Sequence, residues 1–298
     1  MPTIAATLDD AAVLSLAAVL LAAAASSLYA LSTALQALEA RAAPVESALR
    51  ASLLHRLVRR RIWLVGAAAG VVAWPLQASA LALASVALVQ PALGLGLVVL
   101  LVLGVRILGE RVGRREIVGA LLITAAVAAL GWVAPAHTGA FTGTGKEIVL
   151  AWLAAVVGAP YLLRAVHLAG GLATSVTAGF GWAWVGLGTA LVDQALADRH
   201  WVHAAGWGIG VGVASWSTLL TEMTALQSWP ATRAIPIAFG LEMAAPAAAA
   251  PALTVHGAGP LHGVPFAVAL VVACAGAVLV GSSPPVVHTV APEPLTEP

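Results

Sequence analysis

At 298 residues, 61% hydrophobic and only 9% charged, the chain has too few polar groups to cover a water-facing surface. Soluble domains carry about 25% charged residues. A net charge of +1 excludes the dense basic field that binding to nucleic acid requires, and a single cysteine, Cys274, excludes both a disulfide framework and a Cys-rich metal site.

In chain order, apolar stretches occupy 11–38, 62–84, 86–108, 116–133, 147–168, 173–196, 205–226, 230–251 and 264–281. A bilayer core asks for roughly 17–25 residues per helix, so each stretch reads as one crossing once fraying at the ends is allowed. The first stretch follows Asp9 and Asp10 with no Lys or Arg, the wrong charge for a secretory leader, so it reads as a retained helix. The run 62–108 is too long for one crossing and must break near Ala84-Ser85. Pro75, Pro91, Pro160, Pro236 and Pro246 fall inside stretches, a pattern tolerated in lipid where neighbours satisfy the freed carbonyls. Residues 44–60 mix leucines and arginines at helical spacing and predict an amphipathic helix on the inner leaflet. The proline-rich tail 282–298 predicts disorder.

Basic residues set the orientation. Arg41, Arg50, Arg56, Arg59, Arg60, Arg61, Arg106, Arg111, Arg114, Arg115, Arg164 and Arg233 fall on one side of a nine-span layout, and only Lys146 and Arg199 on the other. That bias predicts a plasma-membrane protein with its N-terminus outside and its C-terminus in the cytoplasm.

Two echoes suggest an internal repeat. Gln36-Ala37-Leu38-Glu39-Ala40-Arg41 ends the first span, and Gln194-Ala195-Leu196-Ala197-Asp198-Arg199 ends the sixth. Stretches 81–91 and 226–236 each run from a leucine to a proline. Spans one to four (11–133) therefore pair with spans six to nine (173–281), with 147–168 as a linking helix. One inserted helix inverts the second copy, so the expected fold is an all-α polytopic bundle of nine transmembrane helices in a 4+1+4 inverted repeat. Such repeats are the frame of many secondary transporters, with the substrate site near the midplane.

Val89-Gln90-Pro91 in a Gly-rich third span, then Leu108-Gly109-Glu110-Arg111, then Arg115-Glu116 and Gly119, resembles the drug/metabolite transporter (EamA-like) superfamily. Ser26-Ser27-Leu28-Tyr29, Leu35-Gln36 and the nine-span layout resemble its NIPA-type magnesium transporter branch and bacterial relatives. The chain departs from that branch in having no paired lysines after Gln36 and no second Gly-Glu-Arg after the eighth span. The resemblance implies alternating-access transport, with magnesium as one candidate cargo.

Glu242 is the first candidate site residue, because it falls at membrane depth between Pro236 and Pro246. An ionisable group there costs roughly 2.5–3.5 kcal/mol on insertion scales and normally faces a wet cavity or a partner. Glu222 lies one turn beyond Thr218 on the seventh span, and Gln77 near the corresponding place in the first half. If the cargo is a divalent cation, Glu222 and Glu242 are its candidate ligands. Ser26, Tyr29, Ser32 and Gln36 form a polar stripe on the first span, suited either to a pathway or to helix–helix hydrogen bonds. Arg233 either grips an anionic solute or anchors to headgroups. An ion pair between Asp193 and Arg199 is expected at the opposite rim. Gly66-Gly70, Gly206-Gly210 and Gly208-Gly212 predict close helix packing. Trp63, Trp132, Trp201 and Trp229 predict interface anchors, while Trp74, Trp152, Trp182, Trp184 and Trp216 lie deeper, where an aromatic face suits an organic cation. No nucleophile–base pair, P-loop or His-Glu-x-x-His occurs, so an enzyme and a bound cofactor are not expected. The expected partners are the bilayer and a small solute or ion, moved by a secondary transporter. The rival reading is a non-transporting scaffold or lipid-handling protein with a filled centre.

Overall fold

The computed structural model describes residues 2–84, 86–133, 143–253 and 263–282. Among these the chain is all-helical: α1 (Pro2–Arg41), α2 (Ala51–Leu57), α3 (Arg61–Leu83), α4 (Val86–Arg106), α5 (Arg114–Val133), α6 (Gly143–Ala165), α7 (Gly171–Ala197), α8 (Trp201–Ser228), α9 (Ala231–Leu253) and α10 (Gly263–Gly281). Helices are what apolar sequence must form in lipid, since each backbone polar group then finds its partner within its own segment. Six of them (α1, α3, α4, α6, α7 and α10) contain described stretches long and apolar enough to cross a membrane, so the chain is a polytopic helical membrane protein. The expected break in 62–108 falls between Leu83 and Val86. The tail 283–298 lies outside the described residues.

The helices assemble as two similar groups. α1 packs along both α3 and α4, and α7 packs along both α8 and α9. Small residues set these distances: a Cβ at Gly96 would lie 2.9 Å from the Ser26 carbonyl, and one at Gly179 would lie 2.6 Å from the Ala238 carbonyl. α5 and α10 cross where Gly119 and Gly276 face each other's carbonyls, and α6 rests on α7 and α8. Gly66 and Gly70 pack on Ser32 as their spacing predicts, but the second glycine set does not behave that way. Gly206, Gly208 and Gly212 have nothing within 4 Å of a built Cβ, and only Gly210 meets neighbours, Trp184 and Leu153. That stretch of α8 turns much of its surface outward, so its glycines thin the helix without drawing a neighbour in.

One face of the bundle carries most of the arginines and is tied together by polar contacts. Arg60 Nε donates to Glu39 Oε2 at 2.7 Å, joining the start of α3 to the end of α1. Leu49 N–H donates to Thr224 Oγ1 at 3.0 Å, and Gln227 Nε2 reaches the Pro44 carbonyl at 3.3 Å, joining the α1–α3 connection to the end of α8. Arg115 Nη1 donates to the Ser282 carbonyl at 3.2 Å, after the end of α10. Trp229 lies on Gly171, so the start of α7 belongs to the same face.

The expected surface helix over 44–60 needs correction. It is a 3-10 turn, Val45–Ser47, followed by the seven-residue α2. Leu53, Leu54 and Leu57 are at most 1% exposed and share a core with Met223 and Leu226 of α8. Leucines expected to enter lipid instead enter the protein, because the end of α8 offers them an apolar seat. Trp63, expected as an interface anchor, is buried too, with its Nε1–H directed at Met223 Sδ 3.4 Å away. Trp74, expected deep, is 64% exposed. The side chain of Trp132 lies outside the described residues. Asp193 and Arg199 form no ion pair among the described residues.

Candidate functional site: a pair of carboxyls

Glu222 on α8 and Glu242 on α9 come together. α8 and α9 each pack on α7 and scarcely on each other. The two carboxyls lie within electrostatic reach of one another. Both residues are half-buried.

Two aromatic residues accompany the carboxyls. Trp182 on α7 donates its indole N–H to Glu222 Oε2 at 2.5 Å. Its place is fixed from the next residue: a Cβ at Gly181 would lie 2.2 Å from Thr218 Oγ1, so only glycine lets α7 and α8 approach this closely. Tyr29 on α1 is half-buried and lies within electrostatic reach of Glu242. The site thus draws on both groups of helices, α1 from the first and α7, α8 and α9 from the second. Its chemistry is acidic and aromatic, a setting that favours a cation with an apolar body. Among the described residues no three His, Cys, Asp or Glu side chains cluster as a metal cage.

Other expected site residues lie elsewhere. Thr218 shares the helix face of Glu222 but is buried against α7, and its hydroxyl has no hydrogen-bond partner among the described residues. Gln36 Nε2 donates to Ser32 Oγ at 3.0 Å, and a Cβ at Gly70 would lie 3.0 Å from that same oxygen, so this pair sits in the α1–α3 seam. Ser26 Oγ donates to the Ala92 carbonyl at 3.3 Å in the α1–α4 seam. Gln77 lies half-exposed on α3, which packs chiefly along α1.

Arg233 corrects its expectation most sharply. It is 5% exposed and cannot reach headgroups as an anchor. Its Nη2 lies 3.1 Å from Glu116 Oε1, and Glu116 Oε2 accepts the Gly113 N–H at 3.0 Å. Beside this pair lies a second buried acid. Glu110 accepts the Ala231 N–H at 2.7 Å, the Thr232 N–H at 3.0 Å, the Thr232 hydroxyl and the Arg41 guanidinium. It therefore caps the start of α9 from another part of the chain, meeting donors that a helix start leaves free and its positive dipole end. Gly109 makes this possible: at φ +64° it ends α4 in a left-handed turn, with the Glu110 N–H bonded back to the Gly104 carbonyl at 2.9 Å. In this fold Gly109-Glu110 and Glu116 fasten helices rather than join Glu222 and Glu242. Sequence reading valued these residues for resemblance alone. The physical signal was two acids beside helix ends, each needing a donor that only the tertiary structure identifies.

A separate groove of about 460 Å³ runs between α7, α9 and α10, lined by Val176, Leu241, Cys274 and other apolar residues. It contains neither carboxyl and is almost wholly apolar, so it is not the chemical centre.

The chain matches no family model, no curated protein and no solved structure.

Proposed function

We propose that this protein is a secondary transporter of the plasma membrane that moves a small cationic or proton-coupled solute by alternating access. In this reading nine helices cross the bilayer as a 4+1+4 inverted repeat with the layout of the drug/metabolite transporter superfamily, N-terminus outside and C-terminus cytoplasmic. The paired arrangement of α1, α3, α4 with α7, α8, α9 supports the repeat. The observation that carries the function is that Glu222 and Glu242 lie within electrostatic reach of each other, with Trp182 bonded to the first and Tyr29 within reach of the second. A carboxyl at membrane depth marks an ion or substrate path by default, and two within reach of each other favour a positive guest.

Magnesium is the second reading, favoured by the same pairing, because a hydrated ion needs only one or two carboxylates and other oxygens. The aromatic wall weighs toward a weakly hydrated organic monocation. Proteoliposomes test both, with tetraethylammonium, magnesium and a proton gradient assayed in parallel for wild type, Glu242→Gln and Trp182→Phe. The expected result is saturable cation uptake that falls at least tenfold in Glu242→Gln and shifts in apparent affinity in Trp182→Phe. Normal transport by Glu242→Gln would remove this site from the mechanism.

A further inference from the structure

A second hollow, of about 300 Å³, lies on the arginine-rich face between the end of α1 and α2, and the transport reading makes no use of it. Arg56, Arg59 and Arg60 line it together with Glu39 and Pro44. Glu39 is 6% exposed and takes the Nε–H of Arg60, so one of the three guanidinium charges is compensated within the hollow. Arg56 and Arg59 are exposed and take part in none of the ion pairs formed among the described residues. Two uncompensated guanidinium groups thus sit on one concave surface, where forked donors match the geometry of phosphate oxygens.

Ordinary surface arginines move freely and lose entropy when they are recruited. Here the backbone that carries Arg56 and Arg59 is held, while their side chains stay exposed. Leu53, Leu54 and Leu57 pin α2 into the core, which fixes the direction in which Arg56 leaves the helix, and the turn that follows is closed by the bond from the Arg60 N–H to the Leu57 carbonyl at 2.9 Å. Pre-organisation of this kind lowers the cost of binding. The hollow also borders the level at which the helices of this face begin and end, where a polytopic protein meets headgroups.

We propose that this hollow is a binding site for a phosphate-bearing anion, supplied either by a phospholipid headgroup or by a free phosphate compound. Leu57 lines the hollow and also belongs to the buried cluster that holds Met223, the residue after Glu222 on α8. An occupant there steadies the segment that covers the end of α8.

The test uses the purified full chain in a neutral detergent. Native mass spectrometry counts retained phosphatidylglycerol and phosphatidylcholine, and inorganic pyrophosphate is added as competitor. The expected result is one tightly held phosphatidylglycerol, weakened at least tenfold in R56A/R59A and by added salt, and unchanged in the control R111A/R114A on the same face. Displacement by pyrophosphate supports a site that accepts free phosphates, and resistance to it supports a lipid site. R56Q/R59Q repeats the test with side-chain length and polar donors kept, and unfolding midpoints without lipid establish that each variant is folded. Equal retention of both lipids, or equal losses in R56A/R59A and R111A/R114A, would overturn the proposal in favour of a diffuse basic surface.

Discussion

Substituting Glu110 by glutamine changes little in size and removes one charge, yet it should be among the more damaging single changes in this protein. The carboxyl is 2% exposed and meets four donors, two at each oxygen: Arg41 and the Ala231 N–H at Oε1, the Thr232 N–H and hydroxyl at Oε2. A glutamine offers one oxygen and one NH2 group, so whichever way it turns, two donors confront another donor. The Thr232 hydroxyl can rotate to accept, which relieves one conflict if the NH2 takes that side. A buried donor left unsatisfied costs about 1–3 kcal/mol, and loss of the charge also weakens the remaining bonds. The expected destabilisation is roughly 2–4 kcal/mol, just below the range of about 3–5 kcal/mol for breaking a buried ion pair. Tryptophan fluorescence during reversible unfolding in mixed micelles measures it, and Arg41→Met with the double variant gives the coupling. If Glu110→Gln unfolds within about 0.5 kcal/mol of wild type, the cap on α9 does not hold as described.

Two more predictions concern the α7–α8 contact and the second buried acid. Gly181→Val should cost about 1–3 kcal/mol by overpacking, because its new side chain begins 2.2 Å from Thr218 Oγ1. Thr218→Ala alone should be close to neutral, since its hydroxyl satisfies no partner, and it should partly rescue Gly181→Val; a rescue of zero would show that the two do not share space. Arg233→Met should cost about 3–5 kcal/mol in the same unfolding assay by taking the guanidinium away from buried Glu116, and a loss under about 1 kcal/mol would refute the buried pair.

Apolar runs and their punctuation made the long helices legible from sequence. α7, expected over 173–196, spans Gly171–Ala197, and α4 begins at Val86 as expected. Lipid leaves helix as the dominant solution, so composition alone decides the class. Glu242 stood out for a related reason: an acid at depth has few tolerable places to point, and the fold sets it within electrostatic reach of Glu222. Tertiary partners were not legible. Leu53 and Leu54 have the spacing of an interfacial helix, and only the seat offered by Met223 and Leu226 turns them inward. Arg233 has the position of a headgroup anchor, and only the folded loop before α5 brings Glu116 to it. Gly206, Gly208 and Gly212 of α8 carry the same spacing as the glycines of α3 yet meet no neighbour among the described residues, because spacing describes one surface and packing requires two.

The fastening at the start of α9 also bears on how the chain matures. Glu110 and Glu116 are made early, whereas Ala231, Thr232 and Arg233 are made more than a hundred residues later. Since domains are completed from the N-terminus during synthesis, the early helices must wait with two acids lacking their final donors. A ribosome stalled before residue 230 would therefore expose a half-assembled intermediate sensitive to quality-control proteases, and release of the ninth helical segment would be the step that closes it.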